Sequence, residues 1–273
     1  MTSTPAFVDT DFVALTAKIT RERGFGCASY KDKCLRRRIA VRMRARGVHT
    51  YRDYARVLDG DAHEYERLLD ALTINVTRFF RNPEAWAALD AKVLAPAMHA
   101  AAEPLHVWSA GCASGEETYT LGILVHRHAT ALGRRGRPAS IVGTDIDKAS
   151  LEAAGRGVYG APTLGEVPAD VRAAYFAGPA PHAVPPAVRA LVRFERHDLL
   201  SDPPRPGPFH LIVCRNVTIY FDRPSQLALL DTFHDALAPG GALMIGKVES
   251  LSGATRARFE TMDARERIFR RAP

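Results

Sequence analysis

The hydrophobic pattern of the chain changes once, near residue 104. Before that point, apolar residues recur at the three- and four-residue spacing of amphipathic helices. After it, short apolar runs alternate with helical stretches, which predicts an α/β fold with a doubly wound, mainly parallel sheet. The predicted strands span residues 105–110, 139–144, 191–195, 209–214 and 242–246, the predicted helices 116–131, 147–155 and 224–237, and an antiparallel edge hairpin surrounds residues 263–264.

Residues 1–74 are predicted to form a small all-α domain. After a tail of residues 1–8, Phe12, Leu15 and Ile19 define a first helix, for which Thr10 or Asp11 is a suitable N-cap. Gly24 ends this helix. The other predicted helices span residues 31–46, 50–58 and 63–72.

The second predicted helix is strongly basic. Its apolar stripe is Leu35, Ile39 and Met43, and Gly47 ends it. From Lys18 to Arg46 the chain has eleven basic residues and only two acidic ones. The arginines are either a solvated face or a docking surface for an acidic partner, and their clustering favours docking. They are Arg36, Arg37, Arg38, Arg42, Arg44 and Arg46.

Residues 75–104 are predicted to be a linker followed by a helix. The linker mixes β-branched, aromatic and polar residues without a helical period. Pro83 fits the first turn of a helix that runs to about Leu94, where Pro96 closes it. Residues 105–273 form the predicted α/β domain, and a stretch at about 156–191 is an insert because it is proline-rich and too long for an ordinary loop.

Composition narrows the class of protein. The 273 residues are 47% hydrophobic and 25% charged, which is typical of a soluble globular protein. The net charge of +7 favours an acidic partner, either nucleic acid or protein. The sequence contains neither a signal-peptide pattern nor an apolar run of the roughly 20 residues that a membrane helix needs, so we expect a cytoplasmic protein. The four cysteines lack metal-ligand spacing, which predicts no metal site.

The strongest chemical signal follows the first predicted strand. Gly111 and Gly115 bracket a short loop, after which Glu116 and Glu117 begin a helix. A strand, a glycine turn and a helix in that order build a nucleoside-binding corner. The two carboxylates would repel a pyrophosphate, which argues against NAD, FAD and ATP. A cationic ligand without phosphate, such as S-adenosylmethionine, suits them.

Polar residues also follow the next three strands. Asp145 is placed to bind ribose hydroxyls, Asp198 and Leu199 to flank an adenine, and Asn216 to lie at the switch point of the sheet. Each has an ordinary structural alternative: a solvated loop carboxylate or a helix cap for the acids, and a buried turn residue for Asn216. Cys214 ends the same strand and is interpreted as a small buried residue rather than a nucleophile. Their order after the glycine loop favours one binding site.

Several stretches together resemble the chemotaxis receptor glutamate methyltransferases, the CheR family. The resemblance covers roughly residues 10–270. It departs from the family at Lys247-Val248 and in the stretch 176–188, whose prolines cannot donate to a β-ladder and argue against tethering to the C-terminal peptide of a receptor. The matching stretches are residues 75–81, 108–119, 144–147, 214–222, 239–241 and 246–251.

The resemblance implies a protein-glutamate O-methyltransferase. Such an enzyme uses S-adenosylmethionine, releases S-adenosylhomocysteine and forms methyl esters on the cytoplasmic methylation helices of chemoreceptors. It further implies that residues 75–104 cover the cofactor, and we expect a monomer. The implied cofactor contacts are Asn75, Thr77, Arg81, Gly111, Glu117, Asp145, Asp198, Leu199, Asn216 and Val217.

A carboxylate acceptor is already a nucleophile, so alignment matters more than a strong base. Arg81 and Tyr220 are the candidates for orienting it, although Tyr220 is also suited to packing the sheet against the helix 224–237. Two other functions stay open. One is a methyltransferase for nucleic acid or another protein, against which the missing Asn/Asp-Pro-Pro-Tyr/Phe motif argues. The other is an inactive cofactor-binding regulator, against which the strand-end acids argue.

Overall fold

The computed structural model describes residues 9–73, 75–100, 103–134 and 138–272. The chain divides into two compact units. The first comprises Met1–Ile74 with Tyr220–Pro224, and the second comprises Asn75–Ile219 with Ser225–Pro273. The predicted tail of residues 1–8 lies outside the described residues. The chain therefore contributes to the first unit a second time, after residue 219, which no sequence pattern predicted.

Helices form the described part of the first unit, as the sequence predicts. The first helix is capped by Asp9 rather than by Thr10 or Asp11. The Asp9 carboxylate accepts the Phe12 N–H at 3.2 Å, because Thr10 and Asp11 already belong to the helix. The helices are α1 (Thr10–Arg23), α2 (Asp32–Ala45), α3 (Tyr51–Gly60) and α4 (Ala62–Leu72).

Helix α2 buries its apolar stripe and one arginine. Leu35, Ile39 and Met43 are buried, as predicted. Arg38 is buried as well, because it lies three residues after Leu35 and therefore beside the apolar stripe. It donates to the backbone oxygen of Leu72, and its guanidinium lies 4.6 Å from the ring centre of Tyr220. Arg38 thus belongs to the interior of the first unit.

Two further arginines of α2 are tied to internal acids. Arg42 donates to the fully buried Glu64 through Nε at 3.0 Å and Nη2 at 2.6 Å, and Tyr54 donates to the same carboxylate at 2.7 Å. Burial alone would raise the pKa of Glu64, but these hydrogen bonds hold the pKa below its ordinary value. Arg36 pairs with Asp9 at 2.8 Å. These arginines stabilise the unit.

The segment after residue 219 joins the first unit through a single isolated β-bridge. Tyr30 and Phe221 form an antiparallel bridge, and their rings meet edge to face at 5.2 Å. The Lys31 N–H donates to the Tyr220 oxygen at 2.9 Å, and the Asp222 N–H donates to the Ser29 oxygen at 2.9 Å. Main-chain bonds and aromatic packing together fix this segment.

The second unit is built on two sheets. Its strands are β1 (Leu105–Ala110), β2 (Ala139–Asp145), β3 (Val158–Tyr159), β4 (His182–Ala183), β5 (Val192–Arg196), β6 (Phe209–Cys214), β7 (Leu237–Ile245), β8 (Phe259–Asp263) and β9 (Ile268–Arg271). Strands β3 and β4 form a small antiparallel ribbon in the insert. The absence of a receptor-tail partner for this proline-rich insert stays a prediction.

The main sheet has the order β5-β2-β1-β6-β7-β9-β8. Strands β5, β2, β1, β6 and β7 are parallel, and β9 runs antiparallel to both its neighbours. The predicted doubly wound sheet with an antiparallel edge hairpin is confirmed. Helices α5 (Pro83–Leu89) and α6 (Ala95–Ala100) precede β1. The helices that follow β1 are α7 (Glu116–Ala131), α8 (Lys148–Arg156), α9 (Ala169–Tyr175), α10 (Pro186–Arg189) and α11 (Arg223–Ala236).

Pro83 begins helix α5 (Pro83–Leu89), as predicted. The prediction that Pro96 closes this helix is wrong. A wider π-helical turn, Asp90–Leu94, leads directly into α6 (Ala95–Ala100), which contains Pro96. A proline lacks the N–H for the helical bond and crowds the carbonyl four residues before it. The π-helical turn accommodates both effects, so the helix continues.

The aromatic residues of the linker are explained by its contacts with the insert. Phe79 is fully buried, and its ring centre lies 4.8 Å from that of Tyr159 and 4.9 Å from that of Phe176. Glu166 of the insert accepts the Asn82 N–H at 2.7 Å. In the described ranges, none of the helices combines the length and hydrophobicity needed to cross a membrane.

The Arg42–Glu64 pair gives a stability prediction. Arg42→Ala should destabilise the first unit by about 3 kcal/mol, because it removes the two hydrogen-bonding N–H groups of Arg42 from a buried carboxylate and leaves Arg46, 4.0 Å away, as its charged neighbour. In the full chain, amide hydrogen exchange of α2 and α4 should accelerate roughly a hundredfold, as mass spectrometry would measure. Arg44→Ala, on the exposed face of the same helix, is the control and should change little. Equal exchange in both variants would contradict the assigned role of the pair.

Candidate functional site

The glycine loop lies at the carboxyl end of β1. Gly111 has a φ of +77° and Gly115 a φ of +93°. A Cβ on Gly111 would lie 2.5 Å from a methyl carbon of Val217, and a Cβ on Gly115 would lie 2.8 Å from Ala154. The close approach and the left-handed backbone both require glycine. The loop is therefore packed tightly against its neighbours.

Asp145, at the end of β2, fixes this loop from the side. Its buried carboxylate accepts the Ala113 N–H at 2.8 Å and the Asp147 N–H at 2.9 Å. Burial raises the pKa of Asp145, and the hydrogen bonds oppose that shift. Each carboxylate oxygen has a second lone pair. Asn75 is brought close, since its amide donates to Asp147.

Glu117 is the acid with the most strongly perturbed environment near the loop. It accepts the Ser109 hydroxyl at 3.1 Å, and one Arg215 nitrogen lies 3.7 Å from its other oxygen. Burial raises the pKa of Glu117 to about 7, although Arg215 and Ser109 act in the opposite direction. Glu116 is buried beside it and accepts the Ser114 hydroxyl at 2.8 Å. One buried acid and one partly buried acid thus begin α7.

Arg215 is a site residue that the sequence analysis missed. It follows β6, is buried, and donates to the Arg81 oxygen at 3.0 Å and the Asn82 side chain at 3.1 Å. Its guanidinium also lies 5.2 Å from the ring centre of Trp86. An arginine directly after an apolar strand was the available signal. Arg215 connects Glu117 to the linker.

The Arg81 side chain bends back over the linker. Its Nη1 donates to the Val76 oxygen at 3.0 Å, which encloses the partly buried Thr77 within the same turn. The charge of Arg81 acts on Glu117, where it helps to lower the pKa against burial. Arg81 and Glu117 therefore belong to one charged cluster, whereas Thr77 is placed only in its neighbourhood.

Glu249 organises the loop after β6, which the sequence analysis also missed. One carboxylate oxygen accepts the Asn216 N–H at 2.9 Å and the Gly246 N–H at 2.5 Å. The other accepts the N–H groups of Val217 and Thr218, at 3.0 and 2.8 Å, and the Thr218 hydroxyl at 2.8 Å. Asn216 has a φ of +63°, so the loop needs such support. The side chain acts across 33 residues of sequence, as between Asn216 and Glu249.

Asp198 and Leu199 follow β5. The buried Asp198 carboxylate accepts the Leu200 N–H at 2.9 Å and the Ser201 hydroxyl at 2.6 Å, so it is bonded within its own turn and is neither a solvated carboxylate nor a helix cap. Leu199 is partly buried and lines a cavity of about 230 Å³ with Trp108. The His197 N–H donates to the Asp145 oxygen at 3.0 Å, which brings this turn beside β2.

The predicted residues thus divide between the two units, and all of the predicted cofactor contacts belong to the second. Gly111, Glu117, Asp145, Asn216 and Val217 meet at the carboxyl ends of the adjacent strands β1, β2 and β6. The basic helix and Tyr220 belong to the first unit. Cys214 is buried, which raises the pKa of its thiol well above the ordinary value and favours a packing role.

Glu249 gives a second stability prediction. Glu249→Gln should destabilise the second unit by about 2–3 kcal/mol, because the new NH₂ group must face N–H donors whichever way the amide is turned. Urea unfolding followed by tryptophan fluorescence measures this, since both tryptophans, Trp86 and Trp108, lie in the second unit. Glu260→Gln, on the exposed part of β8, is the control. Equal midpoints for the two variants would remove the assigned role of Glu249.

Two family models match the chain. One, described as "CheR methyltransferase, SAM binding domain", matches residues 75–268. The other, described as "CheR methyltransferase, all-alpha domain", matches residues 10–73. Among solved structures, a TehB-like SAM-dependent methyltransferase from Corynebacterium glutamicum is 16% identical, covers 69% of this chain and 93% of its own, and has a TM-score of 0.37.

Curated relatives match at similar levels. The chemotaxis protein methyltransferase of Listeria innocua is 33% identical over 89% of this chain and 91% of its own length. That of Klebsiella aerogenes is 34% identical over 91% and 86%, and chemotaxis protein methyltransferase 2 of Pseudomonas aeruginosa is 33% identical over 90% and 88%. With both family models also matched, this chain belongs to the CheR methyltransferase family and carries its S-adenosylmethionine-binding domain.

Proposed function

We propose that this protein methylates glutamate side chains on the cytoplasmic helices of chemoreceptors. The support is the family membership together with the acidic glycine corner around Glu117. A cytoplasmic location follows from the proposal, because the acceptor helices are cytoplasmic. The residues proposed to hold the cofactor are Asn75, Thr77, Arg81, Gly111, Glu117, Asp145, Asp198, Leu199, Asn216 and Val217.

The corner suits S-adenosylmethionine by its charge. A mostly desolvated carboxylate whose pKa is raised to about 7, as that of Glu117 is, lacks enough positive charge around it. Arg215 approaches Glu117 only to 3.7 Å, so a bound cation would complete the environment of this acid. The cofactor carries a sulfonium and an ammonium group. A phosphate would meet Glu116 and Glu117 at the start of α7 and be repelled.

The residues around the glycine loop would align the acceptor glutamate with the methyl group of the cofactor. When bound, S-adenosylmethionine supplies an electrophilic methyl group, and the acceptor glutamate is itself the nucleophile. Arg81 is fixed through one nitrogen to the Val76 oxygen, and we assign its remaining N–H groups to orienting the acceptor carboxylate. Tyr220, held under the Arg38 guanidinium, is the second orienting candidate. Geometry and exclusion of water, rather than a general base, would lower the barrier.

Glu117 predicts a pH dependence of cofactor binding. With a pKa of about 7 in the free protein, Glu117 is charged at pH 8 and mostly protonated at pH 6. A cationic ligand favours the charged form, so the affinity for S-adenosylmethionine should fall about tenfold from pH 8 to pH 6. Isothermal titration calorimetry at the two pH values measures this difference.

Two variants test whether Glu117 is the responsible group. Glu117→Gln should bind more weakly and lose the pH dependence. Glu116→Gln is the matched control: Glu116 is also buried with a raised pKa, but it faces Ser114 instead of Arg215, so this variant should keep the dependence. A pH dependence that survives in Glu117→Gln would assign the effect to another group.

Fewer than the six predicted arginines are available for receptor docking, because four of them have partners within the protein. Arg36, Arg38 and Arg42 have internal partners, and Arg46 pairs with Asp61 at 3.0 Å. This leaves two exposed arginines one helical repeat apart, Arg37 and Arg44, with the exposed Val41 between them. We propose that these three side chains meet the acidic methylation helices.

Charge reversal tests the docking face. The double variant Arg37→Glu/Arg44→Glu should raise the KM for receptor fragments about tenfold at physiological salt, because two attractive contacts become repulsive. The affinity for S-adenosylmethionine should stay unchanged. Arg67→Glu, at an exposed position on α4, is the control. A normal KM in the double variant would exclude this face from docking.

The reaction itself is tested with radiolabelled S-adenosylmethionine and receptor fragments. Glutamyl methyl esters release labelled methanol in mild base, whereas methyl groups on nitrogen or nucleic-acid carbon do not. Base-labile label on the receptor supports the proposal. Base-stable label on RNA, DNA or protein would indicate the second function, and cofactor binding without any transfer would indicate a regulator.

A further inference from the structure

An open groove runs beside the edge strand of the main sheet. It has a volume of about 450 Å³ and lies between β5 and α8. Its floor includes Phe194, whose ring also packs beside the glycine corner at Gly115. No residue proposed above to hold the cofactor or to dock the receptor lines this groove. It therefore has no role in the proposed reaction.

The groove is bordered by an unpaired strand edge. The Ile141 N–H donates to the Leu191 oxygen, and the His197 N–H donates to the Asp145 oxygen. In this parallel register, the odd-numbered residues of β5 bond to β2. The main-chain groups of Val192, Phe194 and Arg196 consequently point away from the sheet, and among the described residues no hydrogen bond satisfies them. Such an edge is a template for another strand.

The charges around the groove are mostly positive. Four basic side chains line it, and Glu152 is the acidic residue among its lining. The Lys148 ammonium lies 3.9 Å from the Glu152 carboxylate and the Arg196 guanidinium 3.7 Å from that of Asp202, so neither pair is tight, whereas Arg193 pairs closely with Glu195 at 2.7 Å. These four basic residues are Lys148, Arg189, Arg193 and Arg196.

From this geometry we infer that an extended, acidic peptide segment of a partner protein adds to the edge of β5. Its main chain would pair with Val192, Phe194 and Arg196, and its alternate carboxylates would enter the groove beside α8. Strand addition between a sheet edge and a helix is a recurrent mode of peptide recognition. Main-chain bonds give the affinity, and the side-chain groove selects the sequence.

The edge favours a peptide over a small anion. The three outward-facing residues on β5 extend over about 13 Å, which matches an extended peptide segment and is much longer than one phosphate group. Charged residues on an edge strand also discourage unwanted pairing. Here the charge in the groove is predominantly of one sign, which excludes basic strands but attracts acidic ones.

A synthetic probe tests the inference on the full-length protein. Fluorescence anisotropy would follow fluorescein-labelled Glu-Thr-Glu-Thr-Glu-Thr-Glu, with the corresponding Lys-Thr peptide as the charge control. N-methylation of alternate amides should weaken binding at least about tenfold in one of the two possible patterns and little in the other, because only one set of amides faces β5. Equal binding of both methylated peptides would overturn the strand pairing.

Variants test the charge contribution. Arg189→Glu/Arg196→Glu should weaken probe binding about tenfold or more, while Arg172→Glu, exposed on α9 and outside the groove, should not. Thermal unfolding and S-adenosylmethionine binding confirm that each variant is folded. Unchanged probe binding in the double variant overturns the inference. Displacement of the probe by ATP, together with insensitivity to N-methylation, would also overturn it in favour of a small-anion site.

Discussion

Two buried carboxylates hold the functional edge of the sheet in place. Asp145 accepts the N–H of Ala113, whose φ is +46°, and Glu249 accepts the N–H of Asn216, whose φ is +63°. A left-handed residue other than glycine costs roughly 1–2 kcal/mol. Hydrogen bonds to a charged acceptor are strong enough to offset that cost. The turns after β1 and β6 therefore depend on acids that are distant from them in the sequence: Asp145 is 32 residues from Ala113, and Glu249 is 33 residues from Asn216.

This arrangement leaves the free protein with unfavourable charge burial. Burial raises the pKa values of both Asp145 and Glu117, and it lowers the pKa of Arg215. Such groups lose the favourable free energy of hydration on folding, and their partners in the protein offset only part of that loss. A bound cation would improve the balance for Glu117, so ligand binding and folding stability should be coupled in this unit. The carboxylates of Glu116 and Glu117 also disfavour phosphate ligands, by electrostatic repulsion rather than by steric exclusion.

The sequence predicts what local periodicity determines. Helix α7 spans Glu116–Ala131, as predicted, because its caps and apolar pattern are local. The role of Glu249 was not predictable, since most of its donors lie far away in sequence, with Asn216 33 residues before it. Arg38 was assigned to the docking surface, although it lies three residues after Leu35 and therefore beside the apolar stripe. The helix that begins with α5 continues through Pro96 because of a π-helical turn, which no residue pattern predicted.

Helix α2 presents the proposed receptor-docking face on one side and packs another side against Tyr220, a candidate for orienting the substrate. Arg37 and Arg44 are exposed, whereas Arg38 is buried against the ring of Tyr220. Lys31, at the start of the same helix, donates to the Tyr220 main-chain oxygen at 2.9 Å. If the exposed arginines bind the receptor and Tyr220 helps to orient its glutamate, the docking face lies on α2 and Tyr220 packs against the same helix. Receptor docking is then a property of the first unit, whereas Arg81, the other orienting candidate, and the residues proposed to hold the cofactor belong to the second.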